Sequence, residues 1–207
     1  MAKRARGPGR IFVISGPSGG GKTTVVEALL AQAPGLVRSV SVTTRPRRSS
    51  ERDGADYRFV SGGAFARLRS RGRLLEWAQV HHAWYGTPRQ PVERALARGR
   101  DVILSIDVQG ARQVKRRFGH RAVLVFLVPP SLRALAQRLR KRRTETPQAL
   151  QTRLRAAKRE LACATWYDYT VINRRVPAAV EQLQAIVTAE RLLKRRKACS
   201  KPRSMSC

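Results

Sequence analysis

Glycines, a lysine and a threonine follow one another in residues 16–23, in the pattern GxxxxGK[ST]. The glycines let the backbone curl so that successive N–H groups point at phosphate oxygens, and a helix starting there adds its positive N-terminal end. In such a loop Lys22 reaches the β- and γ-phosphates, and the hydroxyl of Thr23 ligates Mg²⁺. A purely structural turn would need neither side chain. The predicted phosphate loop comprises Gly16, Pro17, Ser18, Gly19, Gly20, Gly21, Lys22 and Thr23.

The residues around the loop predict a strand before it and a helix after it. Ile11–Ser15 is a short β-branched apolar run, and residues 22–33 have apolar side chains at helical spacing. Further apolar runs at 102–106 and 122–127 do not alternate with polar residues, and helical stretches lie at 92–97 and 111–118. Such strands, separated by helices, predict an α/β fold with a parallel sheet covered by helices on both faces.

Two segments interrupt this alternation of strands and helices. Residues 38–87 are polar, strand-like and rich in Ser, Thr and Tyr, which is typical of a small insert with a binding surface. Residues 138–146 form a basic run before Pro147, and a helical apolar pattern follows. We interpret this run as a connection between two helices that serves as a mobile lid. The predicted organisation is a core of 10–37 and 88–194, an insert of 38–87, a lid of 138–147 and basic tails at 1–9 and 195–207.

Composition restricts the class of protein. The chain has 207 residues, and 42% hydrophobic residues are enough for a folded core. No apolar run reaches the length of about 20 residues that a membrane helix needs. The three cysteines, Cys163, Cys199 and Cys207, match no metal-binding spacing. These features predict a single-domain cytoplasmic protein with no membrane partner.

The charge is strongly positive, with 43 Lys and Arg against 13 Asp and Glu, for a formal net of +30. Such a field attracts nucleotides and nucleic acids alike, so it leaves open a non-specific affinity for nucleic acid. The alternative is an arginine-rich composition with solvated faces.

Blocks beyond the loop carry a family resemblance. They lie at residues 39–48, 53–60, 75–78, 84–87 and 106–110, and include Thr44-Arg45-Pro46, Trp84-Tyr85-Gly86 and Asp107-Val108-Gln109-Gly110. In order and spacing, from about residue 10 to 190, the chain resembles the guanylate kinase family. The resemblance implies a P-loop NTPase-type sheet with a GMP-binding insert and a lid.

The family's site residues map onto this sequence position by position. The resemblance implies that Arg45, Arg48, Tyr57 and Tyr85 hold the GMP phosphate, and that Ser41, Glu76, Thr87 and Asp107 contact guanine. It implies that Arg138, Arg142 and Arg153 approach the ATP phosphates and that Asn173 contacts adenine. Each assignment has an alternative: the tyrosines as ordinary strand aromatics, Asp107 as a helix cap and Glu76 as an exposed strand residue.

The chemistry of guanine supports the assignment of Glu76 and Asp107 to base contact. Guanine presents an N1–H and a 2-amino group as donors, which carboxylates accept. Adenine has neither donor and would leave Glu76 and Asp107 without partners, at about 1–3 kcal/mol for each group.

Three positions depart from the family pattern. Ser105 stands where these kinases usually have an acidic residue, and Ser49-Ser50 replace a common Pro-Gly pair. Arg174-Arg175 follow Asn173 where acidic residues are common. If the usual acid orders Mg²⁺-bound water, Ser105 would weaken metal binding or turnover.

The leading hypothesis is a kinase that uses Mg²⁺ and ATP to phosphorylate GMP, and dGMP as well. The alternatives are a guanylate-kinase-like binding module, a kinase for another acceptor and a nucleic-acid-associated basic protein. The sequence leaves the oligomeric state open.

Overall fold

The computed structural model describes residues 8–80, 82–141 and 147–193. Nine strands and seven α-helices lie in this part of the chain. The strands are β1 (Ile11–Ser15), β2 (Leu36–Arg38), β3 (Val42–Thr43), β4 (Arg58–Phe59), β5 (Leu74–Val80), β6 (Ala83–Pro88), β7 (Asp101–Ser105), β8 (Ala122–Val128) and β9 (Tyr169–Ile172). The helices are α1 (Lys22–Gln32), α2 (Gly62–Ser70), α3 (Arg89–Ala97), α4 (Val108–Phe118), α5 (Leu132–Lys141), α6 (Pro147–Ala162) and α7 (Val176–Leu192).

The first sheet is parallel and has five strands in the order β2-β7-β1-β8-β9. Its central strand β1 is buried on both faces. Phe12 and Ile14 pack with α1 and α7 on one face, whereas Ile11 and Val13 pack with α3 and α4 on the other. The predicted α/β fold, with a parallel sheet covered on both faces, is confirmed.

The second sheet is smaller and mixed, with four strands in the order β4-β3-β6-β5. A separate small core of Val42, Phe65 and Leu74 holds it together. Phe65 belongs to α2, a helix that the strand-like interpretation of residues 38–87 missed. Ser61 caps its N-terminus by accepting a hydrogen bond from the N–H of Ala64.

Helix α5 corrects the interpretation of the basic run. We expected residues 138–146 to connect two helices, but α5 continues through Lys141. The reason is packing, since Leu135 and Leu139 of α5 are fully buried against Ala157 of α6. Residues 142–146, with the predicted site residue Arg142, lie outside the described part of the chain.

No helix among the described residues is long and apolar enough to cross a bilayer. The carboxyl ends of β1 and β7 face the second sheet across a cleft, where the sequence placed the candidate site.

Candidate active site

The cleft has a volume of about 530 Å³ and joins the phosphate loop to the second sheet. Most of the predicted site residues line it. These are Gly16, Ser18, Gly19, Gly21, Lys22, Thr23, Ser41, Arg45, Arg48, Tyr57, Glu76, Tyr85, Asp107 and Arg153. Five others, Pro17, Gly20, Thr87, Arg138 and Asn173, contact these residues or the loop itself.

The loop closes tightly after β1. Gly16 and Gly21 have φ angles of 146° and 89°, which residues with a side chain rarely adopt. A Cβ on Gly16 would also lie 2.2 Å from the carbonyl oxygen of Leu127. Lys22 Nζ donates to the carbonyls of Gly16 (2.6 Å) and Pro17 (3.1 Å), so its ammonium lies over the loop.

Arg138 and Asn173 support the loop from behind. Asn173 is buried, and its Nδ2 donates to the carbonyl oxygen of Gly20 at 2.8 Å. Arg138 donates to the same carbonyl at 3.3 Å and to the Asn173 carbonyl at 2.8 Å. These contacts fix the loop to α5 and to the segment after β9. The adenine contact of Asn173 stays a prediction.

Arg45 lines the cleft on the side of the second sheet. Its Nη1 donates to Oε2 of Glu51 at 2.7 Å and its Nη2 donates to Oε1. The Arg45 hydrogen bonds hold the pKa of Glu51 below its ordinary value, and the pKa of Arg45 is raised in turn. The guanidinium also lies 5.0 Å from the ring centre of Tyr57, which meets the ring of Tyr85 edge-on at 6.0 Å.

Glu51 was missed by sequence reasoning. It lines the cleft and also accepts from the backbone N–H of Arg48 at 3.0 Å. Its sequence signal was an acid three residues after Arg48, in a segment of mostly basic residues. An acid in that place neutralises part of the repulsion between the two arginines.

Glu76 is only 2% exposed, so the alternative of an exposed strand residue is wrong. Thr87 donates to its Oε1 at 2.6 Å from the neighbouring strand β6. Burial raises the pKa of Glu76 to about 7; the Thr87 hydrogen bond lowers it and the charge of Asp107 adds to the rise.

Asp107 is the N-cap of α4, so the helix-cap alternative is confirmed. Its Oδ1 accepts from the N–H of Gly110 at 2.9 Å. The capping residue also lines the cleft beside Ser105. The Asp107 side chain therefore both caps α4 and lines the cleft.

Helix α6 contributes Arg153 and Glu160 to the lining of the cleft. The two residues are seven positions apart in the sequence, which is two helical turns, so they lie on the same face of α6. Burial raises the pKa of Glu160; the charge of Lys22 lowers it and that of Asp107 raises it further. Sequence reasoning missed Glu160, although it shares the Arg153 face. Its carboxylate lies in the same cleft as Ser105, where the family usually has an acid.

The donors in the cleft suit Mg²⁺. The hydroxyl of Thr23 and the carboxylates of Asp107 and Glu160 are hard oxygen ligands. In the described part of the chain, no three His, Cys, Asp or Glu residues group closely enough to hold a metal by themselves. This arrangement fits an ion that keeps several waters and is also bound by phosphates.

Comparisons with known proteins agree on one family. Residues 8–190 match the family model described as guanylate kinase. Guanylate kinases of Carboxydothermus hydrogenoformans and Bordetella pertussis are 44% and 47% identical; the matches cover 91% and 89% of this chain and 92% and 85% of theirs. The crystal structure of guanylate kinase from Anaplasma phagocytophilum is similar with a TM-score of 0.76 at 34% identity, covering 90% of this chain and 88% of that one.

Proposed function

The chain belongs to the guanylate kinase family, and on that premise we propose how its cleft carries out the reaction. The protein is a nucleoside monophosphate kinase that transfers the γ-phosphoryl group of ATP to GMP. The observation that carries the assignment is the buried carboxylate of Glu76 in the same cleft as Lys22. We propose that residues 38–87 act as the GMP-binding insert and that residues 138–147, which include the last turn of α5, act as the lid.

The donor side is the phosphate loop. Its backbone N–H groups and the N-terminal end of α1 receive the ATP phosphates, and Lys22 leaves its contacts with the loop carbonyls to reach the β- and γ-phosphates. The hydroxyl of Thr23 would ligate the Mg²⁺ that neutralises charge on the phosphates, and Glu160 would lie near the water shell of that ion. Arg138 and Asn173 keep the loop in shape, and we propose that Asn173 also contacts adenine.

The acceptor phosphate is held by Arg45, Arg48, Tyr57 and Tyr85. Guanidinium groups bind phosphate through two parallel hydrogen bonds, and phenol hydroxyls donate further ones. Burial raises the pKa of Tyr57, so its hydroxyl keeps the proton that it donates. Glu51 holds Arg45 in place from the other side.

The base is recognised by Glu76 and Asp107, with Ser41 and Thr87 beside them. The carboxylates accept from guanine N1–H and the 2-amino group, while the Thr87 hydrogen bond fixes the Glu76 carboxylate. None of these proposed base contacts involves the ribose 2′-hydroxyl, so we expect dGMP to be a substrate as well.

Transfer needs no general base, because a phosphate oxygen of GMP is already a nucleophile. That oxygen attacks the γ-phosphorus in line and the bond to the ADP oxygen breaks. Negative charge spreads over the equatorial oxygens in the transition state, and Arg153 with Arg138 and Arg142 stabilises it. The complete loop gives the binding-module alternative no support.

Replacing Glu76 by Gln tests the base assignment. One acceptor oxygen becomes an amide that cannot accept from guanine, so we expect kcat/KM for GMP to fall about 10- to 100-fold. KM for ATP should not change. Glu181→Gln, at an exposed site on α7, is the matched control. Equal losses for both variants, or none for Glu76→Gln, would remove Glu76 from base recognition.

A further inference from the structure

The two carboxylates assigned to guanine belong to different sheets. Glu76 lies on β5, the edge strand of the second sheet, whereas Asp107 caps α4 after β7 of the first sheet. Nothing in the covalent chain holds these two groups at a set separation. Their spacing depends on how β5 sits against α4.

Gln113 of α4 binds this edge strand through both ends of its amide. Its Nε2 donates to the carbonyl oxygen of Trp77 at 2.7 Å, and the N–H of Trp77 donates to its Oε1 at 3.2 Å. Trp77 directly follows Glu76. The Gln113 side chain thus satisfies the Trp77 N–H and carbonyl in the way that a neighbouring strand would, next to the carboxylate of Glu76.

One turn earlier in α4, Gly110 also lies close to Glu76 and Asp107. The N–H of Gly110 donates to Asp107, and a Cβ on Gly110 would lie 2.3 Å from Oε2 of Glu76. Gly110 is therefore in contact with both carboxylates. Gln109 adds a hydrogen bond of 3.1 Å to the other oxygen of Asp107.

We propose that Gln113 is a positioning residue for base selection, which rests on the function proposed above for the cleft. Its two hydrogen bonds hold β5 against α4, so that Glu76 and Asp107 keep the separation that N1–H and the 2-amino group of guanine require. Hydrogen bonds to charged acceptors are sensitive to small displacements, and a shift of about 1 Å costs up to 100-fold in reaction efficiency.

The test compares GMP with inosine monophosphate, which keeps N1–H but lacks the 2-amino group. Gln113→Met keeps the length and volume of the side chain and removes both hydrogen bonds. We expect KM for GMP to rise about tenfold, kcat at saturating GMP and KM for ATP to stay unchanged, and the preference for GMP over inosine monophosphate to fall about tenfold. The control is Gln184→Met on α7, which removes a side-chain amide that donates to Oε1 of Gln32 at 3.2 Å.

A merely structural role gives a different result. It would lower the melting temperature of Gln113→Met while leaving the nucleotide preference at the wild-type value, and that outcome overturns the inference. Gly110→Ala provides a second route that leaves the Gln113 side chain unchanged: its Cβ would lie 2.3 Å from Oε2 of Glu76 and displace that carboxylate, so it should reduce the same preference. Wild-type protein that turns over GMP and inosine monophosphate equally would instead overturn the base assignment itself.

Discussion

In the proposed acceptor site, Arg45 and Glu51 show how an acid can support phosphate binding. The Arg45 guanidinium is bonded through both Nη atoms to Glu51 and lies against Tyr57. These contacts keep the side chain ordered before the substrate arrives, which lowers the entropy lost on binding. We therefore propose that Glu51 is part of the acceptor site, although its charge repels phosphate.

Glu51→Gln should weaken GMP binding. The amide accepts through one oxygen only, so Arg45 loses one of its two charged hydrogen bonds and part of its orientation. We expect KM for GMP to rise about tenfold, with KM for ATP unchanged. Steady-state kinetics with Glu181→Gln as control measures this. A lower KM for GMP would show that Glu51 competes with the phosphate instead of positioning Arg45.

The pKa of Glu76 predicts a pH dependence of GMP binding. The carboxylate must be ionised to accept from guanine, and its pKa of about 7 means that it is mostly protonated at pH 6. The dissociation constant of GMP should therefore be about tenfold higher at pH 6 than at pH 8. Calorimetric titration measures it, and Glu76→Gln, which keeps the titration of the GMP phosphate and lacks that of Glu76, is the control. Equal pH profiles for both proteins would contradict this.

The same group predicts how stability varies with pH. Its pKa is raised in the folded protein from an ordinary 4.5 to about 7, so the native state binds more protons than the unfolded state between these values. Its contribution to stability is full below pH 4.5 and is lost as the pH rises through 7. Denaturant unfolding at pH 5 and pH 8 should show a smaller difference for Glu76→Gln than for wild type. An unchanged difference would place the carboxylate in a more solvated site.

At the scale of elements, the second sheet depends on very few buried side chains. Phe65 of α2 is 2% exposed and stacks on Trp84 at 6.0 Å. With Val42 and Leu74 it forms the whole buried apolar cluster that the described residues place under this sheet. The proposed acceptor site is therefore built on the sheet with the smaller buried apolar cluster.

Phe65→Ala should loosen the acceptor site selectively. Loss of the ring costs about 3–5 kcal/mol locally. Hydrogen exchange should accelerate in residues 58–88 and stay slow in β1 and β8, while KM for GMP rises more than KM for ATP. Uniform acceleration in both sheets would mean that the two unfold as one cooperative unit.

Local patterns explain which elements the sequence predicted. The strand, loop and helix at 11–32 follow from adjacent residues, as does the apolar spacing of α6. Helix α2 was missed because only Phe65 of its nine residues is buried, so no apolar face is visible. Glu51, Gln113 and Glu160 were missed for a related reason: their roles depend on partners that only the fold brings near them.

At the scale of the whole molecule, a net charge of +30 surrounds a cleft for two anionic substrates. The field raises the local concentration of nucleotides and speeds their encounter with the protein. The same field is not selective, so in the proposed site base recognition rests on the carboxylates of Glu76 and Asp107.

This field predicts a strong salt dependence. Raising KCl from about 50 to about 300 mM shortens the screening length from roughly 14 to 6 Å. We expect kcat/KM for GMP to fall about two- to tenfold, chiefly through KM. Sucrose of matched osmolality is the control. A kcat/KM that does not vary with salt would show that the surface charge does not influence GMP binding in the cleft.

The most direct test of the central claim is ADP release measured in a coupled assay with Mg²⁺, ATP and each of GMP, AMP, CMP and UMP. The cleft geometry predicts strong turnover with GMP, far weaker turnover with the other three, and loss of activity in Lys22→Ala. Folded protein that binds GMP but releases no ADP with any acceptor would contradict it and would favour the binding-module alternative.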